Sequence, residues 1–115
     1  MRTLNIAEDV SAAAASTAST PVDLAAQNAP FLSNYSAVAA INLQAVDDAV
    51  ITVEGSDDVT FATGVEDLAV VDLTGESGVS KVVFLEIVLT KQYIRLHAEE
   101  VTTGAGAASL DLLGN

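Results

Sequence analysis

The chain has 115 residues and a formal net charge of −12, with 16 acidic side chains against 4 basic ones and no cysteine. This length corresponds to one domain, and the lack of cysteine excludes a disulfide scaffold and thiolate metal sites. Because so acidic a surface repels phosphate groups and anionic lipids, we expect binding neither to nucleic acid nor to a membrane surface.

Residues 1–35 differ in composition from the rest of the chain. Positions 11–20 hold only Ala, Ser and Thr, and Pro21 and Pro30 enclose the segment that follows. The alanines favour a helix, but the Ser and Thr residues weaken helix propensity, and no stripe of large apolar side chains is available to bury. We therefore predict an extended N-terminal arm over residues 1–35, with a short strand near residues 22–24, followed by a β domain over residues 36–115.

From Ala37 onward, apolar and polar residues alternate with the period of two that is typical of β-strands. The residues Ala39, Ile41, Leu43 and Ala45 are expected to share the face of a strand that packs on the core. The pattern predicts further strands over residues 49–54, 59–62, 66–73, 82–89, 92–101 and 108–112, separated by turns rich in Gly, Ser and Asp. Roughly seven or eight short strands with regular turn signals indicate a sandwich or a barrel, and an up-and-down barrel satisfies the same pattern.

The run of residues 82–89 is apolar on both faces apart from Glu86. If its odd-numbered residues fill the core, the even-numbered stripe points outward, to be covered by another chain or by the N-terminal arm. Tyr and Arg are enriched at binding hot spots, which adds two residues of the next strand. The predicted interface residues are Val82, Phe84, Val88, Tyr93 and Arg95.

The polar residues form no recognisable catalytic set. The acids Asp47, Asp48, Glu54, Asp57 and Asp58 could converge at one end of a sandwich and hold Ca²⁺, but acids at turns more often cap backbone amides. His97 is the single histidine and has no serine or cysteine close to it in sequence, so we interpret it as a surface or interface residue. We expect no enzyme activity, no metal and no cofactor.

Two motifs carry a resemblance to a known group. The segment Val53–Asp58 (Val-Glu-Gly-Ser-Asp-Asp), with Phe61 after it and Gln92–Leu96 (Gln-Tyr-Ile-Arg-Leu) further on, resembles the jelly-roll capsid cement (decoration) proteins of tailed bacteriophages. More distantly, it is similar to discoidin-like and carbohydrate-binding jelly rolls. The likeness covers roughly residues 37–113. The Ala/Ser/Thr-rich start that leads into Pro21–Leu24 also looks like the cement group.

The resemblance implies both a fold and a function. The implied fold is an all-β, jelly-roll-like antiparallel sandwich of roughly seven to eight strands with an extended N-terminal arm. The implied function is that of a structural virion protein, assembled in the host cytoplasm, which binds the major capsid protein on the outer capsid surface and bridges neighbouring capsomers. Self-association is also implied, as a trimer or alternatively a dimer. The second hypothesis is a discoidin-type carbohydrate-binding module that aids adhesion to a host surface.

Overall fold

The computed structural model describes residues 2–27, 31 and 35–114, and these residues are mostly β-strand. All strand pairs are antiparallel, so the prediction of an all-β antiparallel sandwich is confirmed. No helix in these ranges is long and apolar enough to cross a membrane. The elements are β1 (Arg2–Ser11), β2 (Thr17–Ala18), β3 (Val22–Asp23), a 3₁₀-helix (Leu24–Ala26), β4 (Ser36–Ser56), β5 (Glu66–Asp72), β6 (Val79–Val88) and β7 (Tyr93–Gly114).

Two long bent strands, β4 and β7, run through both layers of the sandwich. In sheet 1, the neighbours in order are β1, the second half of β7, the first half of β4, and β6. In sheet 2, they are β2 and β3, the first half of β7, the second half of β4, and β5. With each half counted as a strand, this is the strand order of a jelly roll. The sequence pattern predicts separate short strands on either side of each bend, whereas β4 and β7 are each one continuous strand.

The described part of residues 1–35, predicted as an arm, is extended and pairs with its own chain. Strand β1 lies along the second half of β7, and its residues Ile6 and Val10 are buried. Strand β3 forms where a short strand was predicted, and Leu24 directly after it is 1% exposed. These residues therefore supply outer strands of the sandwich itself. The rest of the segment, Pro30 included, lies outside the described residues.

The core lies between the two sheets and is built from the inward-facing residues of the long strands. Each valine, leucine or isoleucine side chain fully buried there contributes about 1.5–3 kcal/mol relative to its exposed form. The predicted alternation is found over residues 39–43, where Ala39, Ile41 and Leu43 are buried. The fully buried large residues of β4 and β7 are Ile41, Leu43, Val46, Ile51, Val53, Ile94, Leu96, Leu110 and Leu112.

The period of two breaks where β4 passes from one sheet to the other. Ala45 has φ 51° and Asp48 has φ 44°, and the register with β7 shifts between Gln44 and Asp47 and again before Ala49. An extra residue at a bulge turns the following side chains to the opposite face. The prediction that Ala45 faces the core is therefore wrong: it is exposed, and Val46 is buried in its place.

The segment 59–62 is a loop, so the prediction of a strand there is wrong. The carboxylate of Asp58 accepts hydrogen bonds from the amides of Thr60 at 2.9 Å and Ala62 at 3.2 Å. These local bonds replace those of a strand ladder, as Asp side chains at turns commonly do. Phe61 has φ 55° and is buried outside the main core, on the outer face of sheet 2.

Candidate binding surface

The even-numbered residues of β6 lie on the outer face of sheet 1. Val82, Phe84 and Val88 are 47%, 62% and 51% exposed. The residue opposite Phe84 on β4 is Ala40, whose methyl group is too small to cover the ring. We call Val82, Phe84 and Val88 the β6 stripe. It is a row of large apolar side chains, interrupted by Glu86, that the described part of the chain leaves in contact with solvent.

A shallow depression of about 740 Å³ lies at the end of the β6 stripe. In the sheet register, Val38 lies between Leu113 of β7 and Glu86 of β6, so three strands meet there. Val38 and Leu113 were not predicted as surface candidates, although each is the outward neighbour of a buried residue, Ala39 or Leu112. Its lining includes large apolar side chains (Val38, Phe84, Val88, Leu113) and polar ones (Ser36, Glu86).

Tyr93 and Arg95 lie apart from the β6 stripe, on the outer face of sheet 2. The Arg95 Nε donates to Glu54 Oε1 at 2.8 Å, and the guanidinium carbon lies 4.2 Å from the centroid of the Phe61 ring. The outer faces of two packed sheets point away from each other. The five predicted interface residues therefore form two separate groups, and the charge of Arg95 is already engaged within the chain.

The acidic residues considered for Ca²⁺ are scattered over the sandwich. Two lie at the bend of β4, one forms the ion pair with Arg95, and two lie in the loop after β4. Among the described residues, no group of three or more His, Cys, Asp or Glu side chains could hold a metal ion. Their observed partners are backbone amides, an arginine and, for one of them, threonine hydroxyls: this holds for Asp47, Asp48, Glu54, Asp57 and Asp58.

Asp48 joins two turns that are distant in sequence. Its Oδ1 accepts from the amide of Gly75 at 2.9 Å, and its Oδ2 accepts from the amides of Thr102 at 2.9 Å and Thr103 at 3.2 Å. The backbone hydrogen bond from Gly75 is the largest cause that lowers the pKa of Asp48 below its ordinary value, because each donated N–H stabilises the charged carboxylate. The bend of β4 is thereby held to the turn before β6 and to the bend of β7.

Two further aspartates have lowered pKa values for a similar reason. The hydroxyl of Thr60 donates to Asp58 at 2.7 Å and lowers its pKa. The hydroxyl of Thr74 donates to Asp72 at 2.5 Å and lowers its pKa. In each case the backbone amide of the same threonine donates as well. The ionised carboxylates therefore help to hold the turns of the sandwich in place.

Stability should fall in acid because of these three aspartates. A carboxyl group with a lower pKa in the folded state stabilises the fold above its unfolded pKa of about 4, and this contribution is lost as the pH falls through the folded pKa. We expect Asp48→Asn to lower Tm at neutral pH, because asparagine tolerates φ 44° but has only one acceptor oxygen for these amides. The further loss of Tm in acid should be smaller in this variant, because asparagine has no carboxylate to protonate.

Thermal melts followed by circular dichroism between about pH 7 and pH 2.5 measure this effect. Asp67→Asn is the matched control, because it makes the same change of charge on an exposed residue of β5. Equal acid dependence in the two variants would show that Asp48 does not stabilise the turns in the way its contacts indicate.

His97 has a serine partner that its sequence neighbours did not reveal. Ser16 Oγ lies 2.7 Å from His97 Nε2, because β2 pairs with β7 and places Ala18 opposite His97. In a catalytic nucleophile–base pair, a serine contacts a histidine in this way, and a third group orients the second ring nitrogen of the histidine. The described residues show no such third contact. We interpret the pair as a surface hydrogen bond that holds the segment before β2 against β7.

Comparison with known proteins finds no match: no protein-family model, no curated protein and no solved structure corresponds to this chain. The fold and the surface define a class, a small all-β sandwich of jelly-roll connectivity with an exposed apolar stripe on one outer face.

Proposed function

We propose that this chain is a structural virion protein, a capsid cement (decoration) protein on the outer capsid surface that binds the major capsid protein and bridges neighbouring capsomers. The observation that carries the proposal is the β6 stripe, with Phe84 62% exposed in a depression lined mostly by apolar residues. Large apolar side chains grouped on one exposed face of a small domain commonly mark a protein interaction surface. The resemblance of the Val53–Asp58 and Gln92–Leu96 motifs to cement proteins supports the same function.

The mechanism is burial of the β6 stripe across a junction between capsid subunits. Such contacts exist only in the assembled shell, so binding stabilises the shell relative to free subunits by mass action. Full burial of one aromatic side chain of this kind contributes about 1.5–3 kcal/mol. The net charge of −12 favours a capsid surface whose apolar patch is surrounded by basic residues. Tyr93, on the opposite outer face, is available to a neighbouring subunit.

Capsid binding should depend on Phe84. Purified protein is mixed with capsids assembled from the major capsid protein of the same genome, and the bound fraction is measured by co-sedimentation. We expect Phe84→Asp to weaken binding by at least about tenfold, because the lost apolar burial corresponds to more than about 1.4 kcal/mol. Val70→Asp is the matched control, since Val70 is 50% exposed on β5 of the other sheet.

Circular dichroism of the two variants distinguishes a loss of capsid binding from a loss of folding. Circular dichroism should be the same for both variants, because neither side chain lies in the core. If the unmodified protein does not co-sediment with capsids, or if Val70→Asp binds as weakly as Phe84→Asp, the cement proposal is wrong.

A carbohydrate-binding module is the second candidate, and one observation favours it. The exposed ring of Phe84 shares its depression with the Ser36 hydroxyl and the Glu86 carboxylate, so an apolar ring lies beside polar groups that could orient a sugar. Glycan-array binding with a Kd of about 1 mM or lower, lost in Phe84→Ala, would support this function. Glycan binding that is independent of Phe84 would exclude the depression as its site.

A further inference from the structure

Strand β6 has one free edge, since within the described ranges it pairs with β4 alone. Its pairing with β4 runs through eight consecutive residue pairs, from Ser36–Val88 to Leu43–Lys81, without a change of register. The strand is rich in Val, Ile, Leu and Phe and contains no proline. A long, regular apolar edge presents unpaired N–H and C=O groups to which another strand can bind.

The other edges of the sandwich carry features that block strand addition. The register of β1 shifts twice against β7, and Asp9 has φ 49°. Strand β5 contains a register shift near Asp67 and is acidic at both ends, at Glu66 and Asp72. Strands β2 and β3 have two residues each. Bulges, charges and short length are the usual means by which proteins protect an edge. The regular part of β6, residues 81–88, is long and has no bulge, and it carries one charge of each sign, at Lys81 and Glu86.

The charge of β6 suits a second copy of the same chain. Lys81 and Glu86 are its charged residues, so the strand is neutral although the protein carries −12. Residues directly opposite in an antiparallel pair share a face, so outward-facing residues must pair with outward-facing residues. If Val83 is opposite the partner's Val83, Phe84 lies opposite the partner's Val82, which is a favourable aromatic–β-branched pair. Glu86 is then opposite the partner's Ser80, and no like charges meet.

We propose that two copies of this protein associate through antiparallel pairing of their β6 edges about a two-fold axis at Val83. Sheet 1 becomes continuous across the two copies, and their β6 stripes adjoin on one outer face. Self-association through an identical patch of this kind closes as a dimer, not as the trimer that the resemblance also allowed. The inference is independent of capsid binding, because either can fail while the other stands.

The first test uses the lack of cysteine in the natural chain. Val83→Cys introduces a single thiol, and opposite Cα atoms about 4.5–5.5 Å apart lie within the range that a disulfide spans. We expect a covalent dimer after mild oxidation, seen by non-reducing electrophoresis and mass spectrometry.

The matched control for this crosslink is Val71→Cys. Val71 and Val83 are both half-buried residues that face inward from an edge strand. Val71 lies on β5 opposite Ile51, and Val83 lies on β6 opposite Ile41. We expect Val71→Cys to stay monomeric under the same oxidation. Equal crosslinking of the two variants would mean random collision and would overturn the proposal.

The second test compares two variants that place opposite charges at position 80. Ser80→Glu places a carboxylate opposite the partner's Glu86, whereas Ser80→Lys places an ammonium group there, and each pair occurs twice by symmetry. Both variants lose the hydrogen bond from the Ala45 amide to Ser80 Oγ, so the effect of that loss cancels in the comparison.

Sedimentation velocity over a concentration series measures the dimer dissociation constant. We expect it to be about tenfold or more higher for Ser80→Glu than for Ser80→Lys, because opposite-charge pairs stabilise a sheet and like-charge pairs destabilise it. Equal dissociation constants, a purely monomeric unmodified protein, or a mass of three copies would each overturn the two-fold pairing.

Discussion

Gly106→Ala should lower the free energy of unfolding by about 3 kcal/mol, more than an ordinary surface substitution. Gly106 has φ 85° at the bend of β7, in the left-handed region that side chains with a Cβ disfavour. A Cβ at this position would lie 2.4 Å from the carbonyl oxygens of both Gln44 and Ala45. Because these are backbone atoms of β4, relief of the clash requires the two long strands to move apart at the bend.

Urea denaturation followed by circular dichroism measures this loss. Gly64→Ala is the control, because Gly64 also has a positive φ, 62°, but a Cβ there meets nothing within 4 Å. The control reports backbone strain alone, about 1–2 kcal/mol. A similar loss in both variants would mean that the close approach of β7 to β4 does not constrain the bend.

Leu110→Ala should cost about 3 kcal/mol of folding free energy, whereas Leu113→Ala on the same strand should cost about 1 kcal/mol. Leu110 is fully buried opposite Ile41 and faces the second sheet, so its removal leaves a cavity in a closely packed core. Leu113 lies on the outer face at the depression, where solvent can occupy the space left by its side chain.

Chemical denaturation of the two variants compares the same chemical change three residues apart on one strand. The expected difference between the two losses is a test of which side of sheet 1 faces the core. Equal losses, or a larger loss for Leu113→Ala, would contradict the assignment of the Val38 and Phe84 side as the outer face, and with it the candidate binding surface.

The β6 stripe connects the two proposals about function. A capsid surface would cover the outer face of sheet 1, whereas a second copy would bind the edge of the same sheet. The two contacts use different atoms, since side chains project from the face while backbone N–H and C=O groups project from the edge. A dimer would therefore present two adjoining stripes to one capsid surface and increase its apparent affinity by avidity.

The direction of most side chains could be predicted from the sequence alone. Alternation from Ala39 to Leu43 predicted which residues are buried, and the run of residues 82–89 predicted that Phe84 faces away from the core. These predictions succeed because successive side chains of a strand point to opposite faces, which is a local property of the backbone. A turn was also predicted at residues 55–58 for an equally local reason, since aspartate bonds to nearby amides, but the loop continues through residues 59–62, where a strand was predicted.

Only the tertiary structure decided which strands became neighbours. It joined the short strands predicted around Ala45 into one bent strand and placed β1 beside β7. It also brought Asp48 to Gly75 and Ser16 to His97, and it separated Arg95 from Phe84. Local alternation holds no information on these points, because a strand offers hydrogen bonds along both edges to any partner. The choice among partners depends on how two apolar faces, distant in sequence, can close over one core.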